Sequence, residues 1–270
     1  MKTNNTNTNK SKGIFNVALM IILVITLFLS VKKLNDNHKI ELEYKKQVAA
    51  ETAAKASSKT QKNIALPAEK INKAYAGKVV VLDPGHGGFD EGASTQDGSL
   101  VEKDITLKIC KKIKQYLNKE GIEVVLTRDS DKPMENATNE KEDLRTRSKL
   151  INSYENAVLM LSVHNNSNED DDCFGIFNYI SSSPNIDTSK SMDLSSSILK
   201  SIATSSNWKT NSTLEQDIYI LNKATMPSIL VECGFLSNKT DISNLKNPQQ
   251  VDDLCKAMAK GIKDYMDKNR

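Results

Sequence analysis

From Gly77 onward, short apolar runs alternate with stretches whose apolar residues recur at helical spacing. The run "KVVVLD" reads as a strand. After a glycine-rich gap, "VEKDITLKICKKIKQYLNKEG" predicts an amphipathic helix, with Ile105, Ile109, Ile113 and Leu117 on one stripe and Gly121 as its stop. "IEVVLTR" predicts a second strand, "EDLRTRSKLINSY" a helix and "NAVLMLSVH" a third strand. "FGIFNYI" follows as an expected edge strand, and "DLSSSILKSIATS" as another helix. "SILVE" after Pro227 predicts the last strand, and "PQQVDDLCKAMAKGIKDYM", opening at Pro248, the closing helix. Strands separated by helices imply a mostly parallel, twisted sheet covered on both faces, an α/β three-layer sandwich.

The pattern differs upstream. Residues 13–31, "GIFNVALMIILVITLFLSV", are apolar apart from Asn16, Thr26 and Ser30, and carry no charge. A run of about 18 such residues is long enough to cross a bilayer. Lysines flank it on both sides, so they give no clean orientation, although a large following domain translocates regardless. A cleaved signal wants small residues just after the apolar core, and "SVKKLND" does not supply them. An uncleaved anchor is therefore favoured. Residues 32–76, rich in Lys, Ala, Glu, Gln and Ser, read as a partly helical tether. The expected organisation is a tail and membrane segment over 1–31, a linker over 32–76 and a folded domain over 77–270, outside the cytoplasmic membrane. No repeat of 20 to 50 residues follows.

Charge and cysteines narrow the function. The net charge of +3 is spread along the chain, with no basic stripe interleaved with aromatics, so nucleic acid is not an expected partner. Cys110, Cys173, Cys233 and Cys255 lie far apart and form no CxxC pair, which argues for free thiols rather than a zinc knuckle or a disulfide scaffold. Four consecutive acids, Glu169 to Asp172, read as a solvated loop.

The chemistry concentrates where strands end. The turn "LDPGHGGFDEGA" fails the dinucleotide pattern, because Asp90 stands at the third glycine position, and it lacks the ending of a phosphate-binding P-loop. A phosphate cradle would also leave His86 unexplained. Ligands of open α/β sheets bind beyond the carboxyl ends of strands. His86 follows the first strand, His164 ends the third and Glu232 ends the last, while Glu102 opens the first helix. The chain has three histidines, and two lie at such ends. Taken singly, Glu102 suits a helix N-terminus and a histidine is usually a bystander. Glu232 is a poor close for "SILV" unless something compensates its charge. Two imidazoles and a carboxylate make the ligand set of an open catalytic zinc site, and a further carboxylate can move the proton of the attacking water. Spacing alone leaves open which glutamate takes which role.

"LDPGHGGFDEGA", "EKDITL", "GIEVVLTRDSD", "LRTRSKLIN", "LSVHNNS" and "PSILVECGFLSN" occur in an order that resembles the zinc-dependent N-acetylmuramoyl-L-alanine amidases of bacterial cell walls. The resemblance runs from about Gly77 to Tyr265. It implies one zinc ion per chain held by His86, Glu102 and His164, with Glu232 as catalytic acid and base. It also suggests Asn166 as a site-lining residue and Arg147 as a structural or substrate-side one, with a helix-surface ion pair as the equal alternative for Arg147. The implied substrate is peptidoglycan, both stem peptide and glycan. The compact form is most similar to the germination-specific spore-cortex amidases, which remove stem peptides on the way to muramic-δ-lactam. A vegetative autolysin, a catalytically silent peptidoglycan-binding relative and a zinc peptidase are the competing readings. Cys233 departs from a commonly aliphatic position and is expected to face away from the site. There is little room between His164 and Glu232 for a helix that plugs the groove, so control is expected from elsewhere, such as an activating partner protein.

Overall fold

The computed structural model describes residues 72–269. Six strands, β1 (Val79–Pro84), β2 (Glu123–Leu126), β3 (Ala157–Asn166), β4 (Ile176–Ser181), β5 (Thr210–Gln216) and β6 (Ser228–Phe235), form one sheet in the order β2-β1-β3-β6-β4-β5. Every neighbouring pair is parallel except β4 and β6, so the sheet is mixed. The β1 run is β-branched and wholly buried, as a strand covered on both faces requires. Val79 and Val81 join Met160 and Leu230 in one apolar cluster, while Val80 and Leu82 join Leu161 and Ile229 in the other. The helices supply the outer layers. On the larger face lie α1 (Glu102–Lys119), α3 (Ser189–Ser205) and α6 (Pro248–Lys268); on the other lie α2 (Glu140–Asn152) and the short α4 (Tyr219–Lys223). A further helix, α5 (Lys239–Lys246), sits between β6 and α6. The expected sandwich is there, with four of its strands pointing one way.

Two expectations need correction. "FGIFNYI" is not an edge strand, since β4 lies between β6 and β5. The edge is β5, "TNSTLEQ", which has no apolar face and is largely exposed. Its sequence carries no strand signal because hydrogen bonds to β4, rather than burial, hold it in the sheet. The folded unit also begins before Gly77. Tyr75 is buried in the larger cluster and its hydroxyl donates to Asp267 at 2.6 Å, so at least residues 72–76 belong to the domain rather than to a linker. The predicted membrane segment at 13–31 lies outside the described residues. Among those described, no helix is long and apolar enough to cross a membrane.

The α3–α6 crossing illustrates how tightly the larger layer is packed. A Cβ on Gly261 would lie 2.6 Å from the Ile198 Cα, and the Gly261 carbonyl accepts from Ser197 Oγ at 2.8 Å. Gly costs about 1 kcal/mol of helix propensity relative to Ala, so its presence is owed to this close approach. Gly261→Val is expected to lower stability by about 1–3 kcal/mol through overpacking, read as a lower urea midpoint at unchanged slope. An unchanged midpoint would mean that the two helices separate without cost.

Candidate metal centre

The three strands β1, β3 and β6 end side by side, and their carboxyl ends carry the chemistry. In β1 the chain leaves the sheet at Pro84, and Gly85 extends the ladder by donating its N–H to the Val163 carbonyl at 2.9 Å. Only glycine fits there, because a Cβ would meet the His164 ring at 2.4–2.7 Å. His86 follows with φ +60°, in the left-handed region that a non-glycine residue enters at a cost. That conformation is held from below. Arg147 donates through one terminal nitrogen to the His86 carbonyl at 3.0 Å, and Arg128 donates to the Pro84 and Gly85 carbonyls at 3.1 and 2.8 Å.

Glu102 is the first residue of α1. The Glu102 and Lys103 N–H groups donate to the Ala93 and Glu91 carbonyls, tying the helix start to the loop. The Glu102 side chain is only 4% exposed, so its oxygens need partners. Oε2 accepts from the Ala93 N–H at 2.8 Å and Oε1 from the Asn165 N–H at 2.9 Å. The same Oε1 stands 3.1 Å from His86 Nε2 and 3.0 Å from His164 Nδ1. Burial alone would raise the Glu102 pKa, but the two imidazoles hold it far below the usual carboxylate range. Burial likewise pulls His86 down, and Glu102 followed by Asp90 overrides it, lifting the imidazole to about 9.

These three side chains bring their donor atoms within 4.8 Å of one another. The set suits a divalent cation. Two imidazole nitrogens and one carboxylate oxygen converge from three elements. Among the described residues no other group of three such side chains has this geometry. The acidic run Glu169 to Asp172 is an exposed loop, with Asp170 Oδ1 accepting from the Asp172 N–H.

Glu232 is the direct cross-strand partner of His164 in the β3–β6 register. Adjacent partners share a face, which brings its carboxylate to the same side as the imidazole. Glu232 Oε2 is shut from solvent and has no hydrogen-bond partner. Burial, opposed by His164 and His86 and reinforced by Glu102, pushes its pKa up to about 7. A half-buried carboxyl with an unpartnered oxygen and a pKa near neutrality can both take up and release a proton at neutral pH. Cys233, one residue on, is buried in the larger core on the opposite face, as the strand period requires.

The remaining expectations divide. Of the roles expected for Arg147, its placement suits the structural one: it is 3% exposed, and its guanidinium is engaged below the site. One terminal nitrogen donates to Asp83 Oδ1 and the Pro84 carbonyl at 2.8 and 2.6 Å, the other to Asp143 Oδ2 at 2.8 Å as well as to His86. Asp83 in turn accepts from Thr127 Oγ1 and Ser162 Oγ. Burial would raise the Asp83 carboxyl, but Arg147 and these hydroxyls hold it below the usual range. Arg147 therefore braces the turn and does not present itself to a substrate. Asn166 is half-buried at the end of β3 and its Oδ1 accepts from the Ser167 N–H at 2.8 Å.

Sequence reasoning missed three groups. Asp83, Arg128 and Asp90 were passed over because their partners lie elsewhere in the chain or inside a loop with no periodicity. It also missed Phe177 and Tyr179. Phe177 is the antiparallel partner of Glu232, and Tyr179, two residues on, faces the same side. Burial and the Glu232 carboxylate raise the Tyr179 phenol, with Asn166 pulling the other way. The alternation in "IFNYI" was the available signal.

The family described as N-acetylmuramoyl-L-alanine amidase matches residues 80–264. The chain is 33% identical over 198 residues to the germination-specific N-acetylmuramoyl-L-alanine amidase of Bacillus subtilis, covering 70% of this chain and 80% of that protein. It is 29% identical over 251 residues to the probable cell wall amidase LytH of Staphylococcus epidermidis, covering 93% of this chain and 79% of the relative. Among solved structures, the CwlD amidase of Clostridioides difficile in complex with the GerS lipoprotein is similar, with a TM-score of 0.64 and 32% identity. That match covers 71% of this chain and 99% of CwlD.

Proposed function

This chain belongs to the N-acetylmuramoyl-L-alanine amidase family, an enzyme of peptidoglycan, and on that premise we propose how its centre works and on which wall. Zinc is the cation of the centre, one per chain, held by His86, Glu102 and His164. When bound, zinc supplies positive charge that polarises the scissile carbonyl and brings the pKa of water towards about 7. The chain's own residues do the rest. Glu232 takes the proton of the attacking water and returns it to the leaving nitrogen of L-alanine. The bond cut joins that nitrogen to the lactyl carbonyl of N-acetylmuramic acid. The observation that carries this reading is the unpartnered Glu232 Oε2 beside two imidazoles that converge on one carboxylate oxygen. A carboxyl near 7 both accepts and donates at neutral pH. Phe177, Tyr179 and Asn166 line the approach to Glu232 and contact the substrate.

The substrate is spore-cortex peptidoglycan, where removal of stem peptides precedes muramic-δ-lactam. Similarity to a germination-specific amidase supports this over a vegetative wall. Residues 13–31 anchor the chain and residues 32–71 hold the domain outside the cytoplasmic membrane. A similar amidase is found in complex with a lipoprotein, which supports an activating partner here. The test is a digest of cortex and of vegetative peptidoglycan by the purified full-length chain with zinc, with new ends identified by mass spectrometry. Free stem peptides beginning at L-alanine, released faster from cortex and faster still once a lipoprotein partner is added, are expected. New ends inside the peptide would sink the bond assignment, and equal rates on both walls the cortex assignment. Full activity without any other protein counts against partner activation.

A further inference from the structure

Arg147 fixes the backbone of His86 but leaves its ring free to turn. The ring is held by Asp90, whose Oδ2 lies 2.7 Å from His86 Nδ1. Asp90 is itself fixed. Its Oδ1 accepts from the Gly92 N–H at 3.1 Å, and its backbone exchanges two hydrogen bonds with Gly87, at 2.8 and 3.2 Å. The other side of the ring is closed by Gly92, where a Cβ would meet His86 Cδ2 at 2.7 Å. The loop is pinned further by Asp131, which accepts from the Gly88 N–H, and by Lys103, which donates to the Gly88 carbonyl. A neutral imidazole whose Nδ1–H is spent on a carboxylate carries its lone pair on Nε2. That is the nitrogen 3.1 Å from Glu102 Oε1. His164 is supported otherwise: it turns Nδ1 to Glu102 and rests its ring against Gly85, and among the described residues its Nε2 has no protein partner.

We propose that Asp90 is a positioning residue whose carboxylate fixes the tautomer and ring orientation of His86, and thereby sets how tightly the centre holds a divalent cation. The proposal rests on the reading of His86, Glu102 and His164 as metal ligands. It reaches past that reading, because it assigns a role to a group that touches neither cation nor substrate. Loss of such an outer partner typically weakens metal binding about 10–100-fold.

The test is competition for zinc between a chromophoric chelator and the metal-stripped full-length chain, with the melting curve of each stripped variant recorded alongside. Asp90→Ala is expected to bind zinc about 10–100-fold more weakly while still melting as a cooperatively folded domain. Asp90→Asn keeps an acceptor oxygen and loses the charge, so it falls between the two. Glu91→Ala removes a like charge one residue along, from a side chain that is 68% exposed, and is expected to stay within about twofold of wild type. Asp90→Ala binding as tightly as wild type overturns the proposal, as does Glu91→Ala weakening binding equally. Wild type that binds no zinc, or His86→Ala that binds it unchanged, removes the metal reading itself and the proposal with it.

Discussion

Glu232→Gln is expected to lower amide hydrolysis about 10²–10⁴-fold while zinc content stays at one per chain. Gln keeps the shape of the side chain but can neither take the proton of water nor return it to nitrogen. Its position makes zinc loss an unlooked-for result: the donor atoms that meet at Glu102 Oε1 belong to His86 and His164, and Glu232 is not among that group. Loss of zinc together with activity would overturn the division of labour between the two glutamates. The same substitution carries a stability signature. The folded Glu232 pKa of about 7 lies above the ordinary value of about 4.3, so the native metal-free chain binds this proton more tightly than the unfolded chain. Stability from this group is therefore full below about pH 4 and is lost as pH rises towards 7. Metal-free Glu232→Gln is expected to be more stable than wild type at pH 8, by roughly 1–3 kcal/mol, and to lose that advantage at pH 4. Equal melting temperatures at both pH values would contradict a strained, buried carboxylate.

Arg147→Met is expected to cost about 3–5 kcal/mol, because it leaves Asp83 buried without its cationic partner. The loss spreads to the centre, since Arg147 also holds the Pro84 and His86 carbonyls. Zinc affinity is expected to fall as well, and a chemical denaturation curve with a chelator titration reads both. The double variant Asp83→Asn with Arg147→Met should cost less than the sum of the single changes, because each alone strands the other partner. Additive costs would show that the two side chains do not act as a pair. The pH sign follows from the direction of the shift. Asp83 is held below the ordinary value of about 3.9, so its stabilisation is complete above that pH and is lost as pH falls through the lower folded value. Wild type should therefore lose stability in acid more steeply than the double variant.

Much of this was legible in the chain. The β1 run of valines and the Ile105, Ile109, Ile113, Leu117 stripe gave strand and helix because backbone geometry repeats locally, near 2 and 3.6 residues. His86, His164 and Glu232 stood out because polar residues at the ends of buried strands are unexpected without a partner, and Glu102 because it opens the helix that follows the His86 loop. β5 was not legible. Its polar residues satisfy no periodic template, and it is a strand only because β4 presents an open edge. The role of Arg147 was left open for a related reason. A charged residue on a helix gives no sign of whether it points to solvent, and its buried partner Asp83 is far away in the chain.

The sequence by itself determined the alternation of strands and helices apart from β5, and singled out four polar side chains at the ends of strands and the start of a helix. The tertiary structure alone decided that β4 runs against β6, that Phe177 stands opposite Glu232, and that one oxygen of Glu102 lies within reach of both imidazoles. It also decided that Arg147 reaches the His86 carbonyl and that Asp90 reaches its ring. The physical reason is range. Periodicity arises from bonds between near neighbours, whereas register between strands, and the pairing of a carboxylate with an imidazole, is fixed when the whole core packs at once.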